Sequence, residues 1–185
     1  MVKKILFTML SLFLAYQTYK LTITFIELAP EKFSTLAKVV SAIAFTFFIT
    51  GVLAFLGFVY PTSKILPKTY YQIENPKKLE VWYTWLGVAY FRWFLLKTFY
   101  RKKENKKYFN GTKSGIMLFD YNTKQSEFGH LIAFILVFAL SVVLLFKGHT
   151  YVFIWIQPLN IILNFYPILL QRKHRIPIQR LLNKM

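Results

Sequence analysis

Two short stretches hold the residues able to do chemistry in this chain. Glu127 and His130 stand three apart, so on a helix their side chains share a face and can reach each other or a common ligand. A neutral imidazole placed beside a hydroxyl is a general base, which typically contributes ~10² to 10⁴ in rate. If the helix begins there, its positive end also favours an ionised Glu127. The second stretch carries Asn160, Asn164, Pro167 and Gln171 at offsets 0, 4, 7 and 11. At ~100° per residue these fall within a sector of roughly 60°, one stripe on one helix face. The stripe runs into Arg172 and Arg175, which supply donors for a carboxylate, phosphate or developing oxyanion. It either pairs with another helix or faces a substrate, and spacing alone leaves both open.

The elements that must position these groups are membrane helices. Of the 185 residues 56% are hydrophobic and 19% aromatic, with a mean hydropathy of +0.41, which is not a soluble balance. A net charge of +17 on a soluble domain would point to nucleic acid. Here the cations alternate with apolar runs too long for a soluble core, so no nucleic-acid partner is expected. The reading is an all-α membrane protein in a single domain, residues 1–185. It is a bundle of four transmembrane helices near 5–26, 39–60, 129–146 and 149–171, plus one interfacial or re-entrant helix near 80–97 with Trp82, Trp85 and Trp93 at headgroup level. Lys3 and Lys4 before the first run resemble a signal peptide, yet 15–17 offers no small-x-small cleavage site, so an uncleaved anchor is expected.

Orientation follows from the basic residues. Thirteen lie between 61 and 128 and five beyond 171, against Lys32, Lys38 and Lys147 in the remaining loops. Both termini and the long loop are therefore expected in the cytoplasm, with the chain a multi-pass protein of the cell membrane. The basic run 101–107 either fixes that topology or attracts phosphates.

Several chemistries have no machinery here. Zero cysteines exclude disulfides, thiolate zinc sites and cysteine nucleophiles. His130 and His149 sit at opposite ends of the third span, ~28 Å apart by helical rise, so no three-histidine metal site can form. P-loop, dinucleotide and serine-hydrolase elbow motifs are absent. No cofactor and no metal is expected.

Taken in order, Glu80-x-x-Tyr83-x-x-Leu86-Gly87-Val88 with Phe91-Arg92, then Thr123-x-x-x-Glu127-x-x-His130, then Asn160 to Arg175 as N-x-x-x-N-x-Y-P-x-x-x-Q-R-x-x-R, the chain resembles the glycosyl-4,4'-diaponeurosporenoate acyltransferases. These are small bacterial integral-membrane enzymes. The resemblance covers roughly residues 79–180. It implies transfer of a fatty acyl group from a thioester donor to a hydroxyl of a glycosylated lipid or carotenoid-like acceptor at the cytoplasmic face. In that scheme His130 is the base and Glu127 orients its ring. Asn164, Gln171 and Arg172 meet the oxyanion, Asn160 extends the substrate-binding stripe, and Arg92 and Arg175 hold donor phosphates. The alternative is a non-enzymatic membrane subunit or lipid-binding scaffold whose polar stripe packs on a partner. Acceptor identity, acyl length and oligomeric state are not encoded in these patterns.

Overall fold

The computed structural model describes residues 1–98 and 112–183, and all regular structure among them is helical. The basic run 101–107 lies outside the described residues. Helix α1 (Val2–Glu27) packs on α2 (Thr35–Gly57). Helix α2 packs in turn on α5 (Lys113–Phe146) and α6 (Thr150–Asn160). A π-turn at Ile161–Phe165 joins α6 to α7 (Tyr166–Leu182), so the last 33 residues of helix form one rod. Two short helices, α3 (Pro76–Trp85) and α4 (Val88–Thr98), rest against α7.

The helices start where local chemistry supplies caps. Ser34 accepts from the Ala37 amide at 3.2 Å, Asn75 from Lys78 at 3.1 Å ahead of Pro76, and Thr112 from Gly115 at 3.1 Å, each satisfying an otherwise orphaned donor. Gly148, at φ +85, closes α5, a conformation that costs a side-chain-bearing residue energy. Between the long helices lies an apolar core of Phe25, Phe45, Ile49, Val137, Leu144, Val152 and Ile156, all buried.

Three helices are long and apolar enough to cross a membrane: α2, α5 and the α6–α7 rod. The four-span expectation differs at α1, where Tyr16, Gln17, Thr18, Tyr19 and Lys20 dilute an otherwise apolar helix. The third span is also longer than expected, because its helix starts at Lys113, four turns before Glu127. The pair Glu127 and His130 therefore sits mid-helix, and the dipole argument for them does not apply. The single helix expected at 80–97 is broken instead, since Gly87 adopts φ +65 and splits it into α3 and α4.

Contacts sort the bundle into two ends. At one, Lys4 lies over the Tyr60 ring at 4.6 Å, and the Tyr60 carbonyl accepts from Gln125 at 2.6 Å, a little below Glu127 and α7. At the other, His149 Nε2 meets the Phe25 carbonyl at 2.6 Å and Lys38 lies over Tyr151 at 5.5 Å.

Candidate active site at the crossing of the third and last long helices

The site is built where α5 crosses the π-turn and α7. Its first part is ionic. Glu127 is fully buried, and its Oε1 accepts from Arg172 Nε at 2.8 Å while its Oε2 lies 2.6 Å from Arg175 Nη1. Arg175 is fully buried as well, and Arg172 is partly open, its side chain 27% exposed. One carboxylate thus neutralises one of two guanidiniums, and removing a charge from water this completely is tolerable only when it is paired.

The segment between α2 and α3 forms the lid on this cluster. The Arg172 guanidinium donates to the Tyr70 carbonyl at 2.7 Å and lies over the Tyr70 ring at 4.8 Å; Arg175 lies over Tyr71 at 5.1 Å. Two glutamines pin that segment. Gln125 donates to the Gly57 and Tyr60 carbonyls and accepts from the Ser63 amide. Gln179 donates to the Tyr71 carbonyl at 2.9 Å and accepts from the Ile73 amide at 3.2 Å. Carbonyls orphaned at the end of α2 are thereby satisfied in a buried setting. Burial, then the Glu127 charge, raises the Tyr70 phenol, and the same two causes push Tyr71 up to about 12. Tyr83, delivered by α3, is also pushed up to about 12, chiefly by burial, and its hydroxyl has no partner among the described residues.

The second part is a chain of amides one turn deeper. His130 Nδ1 lies 3.1 Å from Asn164 Oδ1. Asn164 Nδ2 donates to Asn160 Oδ1 at 2.9 Å and to Thr50 Oγ1 at 3.0 Å, and Asn160 Nδ2 donates to the Phe134 carbonyl at 3.0 Å. Both asparagines are buried, at 1% and 0% exposure. Pro167 lacks the N–H that would bond the Leu163 carbonyl in a regular helix, and that carbonyl lies beside the His130 ring.

Of the residues singled out from sequence, the structure brings Glu127, Arg172 and Arg175 into one cluster and His130, Asn160 and Asn164 into the adjoining one. Glu127 does not orient His130, because its carboxylate turns to the arginines and Asn164 holds the ring instead. Asn160 and Asn164 are committed to protein partners. Arg175 is enclosed and paired, not open to a phosphate. Arg92 stands apart from this cluster: it is exposed on α4, with its charge felt at His174 of α7. Gln171 is partly buried and makes no side-chain hydrogen bond among the described residues. Sequence reasoning missed Thr50, Tyr70, Tyr71 and Gln125; Tyr83 entered only as part of a pattern.

Over residues 67–184 the chain matches a family model whose description is that of an acyltransferase. The match covers more than half of the 185 residues and includes the ionic cluster, His130 and both asparagines. The chain belongs to the glycosyl-4,4'-diaponeurosporenoate acyltransferase family. No curated protein and no solved structure matches it.

Proposed function

We propose that this protein transfers a fatty acyl group from an activated thioester to a hydroxyl of a glycosylated lipid or carotenoid-like acceptor, with His130 as general base. The observation that carries the reading is the meeting of α5 with the π-turn and α7. It sets a partly exposed histidine, held by Asn164 at 3.1 Å, one turn along α5 from Glu127, which holds the partly open guanidinium of Arg172, inside the family-matched stretch. The His130 ring takes the acceptor's proton as its oxygen attacks the thioester carbon. A C–O bond forms, the C–S bond breaks, and the imidazolium returns its proton to the departing thiolate. Arg172 and the unpaired amide of Gln171 serve the oxyanion. Glu127 holds Arg172 in position through their 2.8 Å bond. Arg92, exposed on α4, offers a cation to donor phosphates.

In the membrane, α1 acts as a fourth span. Its 26 residues rise ~39 Å at ~1.5 Å per residue, and Ile5, Leu6, Met9, Leu12 and Phe13 are exposed along it. The end of the bundle shared by Lys4, Tyr60 and Gln125 carries most of the cations, which supports placing that end, the site and both termini in the cytoplasm. Helices α3 and α4 rest in the headgroup zone with Trp82, Trp85 and Trp93 exposed.

The test is to compare the lipids and pigments of cells with and without this chain by mass spectrometry. An acylated glycolipid present only with the chain is the expected result, its mass giving the acyl length. Identical profiles from cells that make the glycosylated acceptor would favour a scaffold.

A further inference from the structure

The bonding around His130 runs in one direction, and that direction can be read from its fixed end. A backbone carbonyl only accepts, so the Phe134 carbonyl requires Asn160 to present its NH₂ group at 3.0 Å. The Asn160 oxygen must then face Asn164, which answers with its own NH₂ at 2.9 Å. That leaves Asn164 Oδ1 turned to His130 Nδ1 at 3.1 Å, and two acceptors cannot share that gap. Nδ1 must carry the proton, and among the described residues no hydrogen bond of standard geometry is made at Nε2, the Leu163 carbonyl standing only beside the ring. Reversing either amide sets oxygen against oxygen at one of these two buried contacts, a penalty comparable to that of an unpaired buried polar group.

Thr50 closes the arrangement from α2. Its hydroxyl accepts from Asn164 Nδ2 at 3.0 Å and donates to Asn164 Oδ1 at 3.2 Å, engaging both ends of the same amide. With Asn160 and Thr50 both bonded, the two N–H donors of Asn164 are used, so neither is left to compete for the imidazole. Thr50 lies outside residues 67–184, so the amino-terminal pair of helices contributes to a site that the family-matched stretch does not complete alone.

We propose that the Phe134 carbonyl, Asn160, Asn164 and Thr50 form a one-way hydrogen-bond relay that fixes His130 as the Nδ1–H tautomer and leaves Nε2 as the basic nitrogen, with Thr50 and Asn160 as positioning residues. The catalytic consequence rests on the reading of His130 as the base, whereas the tautomer itself does not. A tautomer set by second-sphere bonding is a recurrent way of fixing which nitrogen reacts.

The direct test is ¹⁵N NMR of histidine-labelled full-length protein in lipid nanodiscs, at a pH where the ring is neutral, with His130→Gln identifying the signal among the three histidines. The expected spectrum shows Nδ1 protonated and Nε2 bare. A wild-type ring protonated at Nε2 alone would overturn the relay. In the second arm Thr50→Val keeps the side-chain shape and deletes the hydroxyl. It is expected to mix the tautomers and to lower kcat roughly tenfold, about one hydrogen bond's worth, with KM changed far less; Thr50→Ser restores both readouts. Asn160→Leu, which removes the acceptor that orients Asn164, is expected to mix the tautomers too. Unchanged tautomer and kcat in Thr50→Val would remove Thr50 from the relay. Activity surviving in His130→Gln while the wild-type tautomer is as stated would sink the catalytic reading and leave the relay standing.

Discussion

Glu127 is held by charge and not by its neighbour on the same helix: its two oxygens meet Arg172 and Arg175 of α7. Spacing placed it on the His130 face, but two arginines from α7 outbid the imidazole for its carboxylate, because only cations can offset a charge so deeply buried. Glu127→Gln therefore leaves two guanidiniums underneutralised, one of them fully enclosed, and is expected to destabilise the protein by about 3–5 kcal/mol. Denaturant titration in mild detergent measures this, and a loss below about 1 kcal/mol would contradict the ion cluster. Tyr83→Phe makes the opposite case. Its hydroxyl is buried with no partner among the described residues, so its removal is expected to be neutral or stabilising, within about 1 kcal/mol. The phenols also set an alkaline limit. Tyr71 and Tyr83 are pushed up to about 12, so the fold keeps protons that the unfolded chain releases near pH 10. Stability is full below about pH 10 and declines as pH rises through about 12; Tyr83→Phe is expected to flatten part of that decline in alkaline melts. Thr50 was not legible beforehand, because Thr46, one turn earlier, makes the ordinary bond to its own i−4 carbonyl at 2.9 Å, and nothing local distinguishes the two.

Among the elements, long apolar runs announced α2, α5 and the last rod, since a helix is the shape that satisfies its own backbone away from water. Their ends were less legible. Helix α5 continues through the polar residues 113–128 because Gln125 and Glu127 find partners in α2 and α7 that no single segment reveals. The stripe of Asn160 and Asn164 was visible as a helix face, while the π-turn that carries Asn164 reflects Pro158 and Pro167 acting with tertiary packing. The aromatic stretch near 80–97 was legible as helical and not as two helices. Gly87 decides that, and its φ of +65 makes Gly87→Ala a test. The left-handed backbone is expected to cost roughly 1–2 kcal/mol, with faster proteolysis between α3 and α4 and the long helices unaffected. Cleavage and melting equal to wild type would mean that the turn is not what separates them.

For the whole molecule, the absence of cysteine makes topology directly measurable. Single cysteines replacing Val2 and Lys147 stand at opposite ends of the bundle. An impermeant maleimide added to intact cells is expected to label position 147 and to reach position 2 only after lysis; labelling of both from outside would overturn the four-span arrangement. Arg172, held by Glu127, and His130, held by Asn164, both belong to the crossing of α5 with the last rod, and the proposed function has donor, acceptor and base meet there at a single membrane face. The most direct measurement is acyl transfer by purified protein in nanodiscs, using an acyl thioester and a glycosylated lipid acceptor, followed by product mass. The wild type is expected to add one acyl group per acceptor, and His130→Gln, inserted at equal abundance, to lose at least about 10² in rate. Equal product from the two proteins would contradict the account.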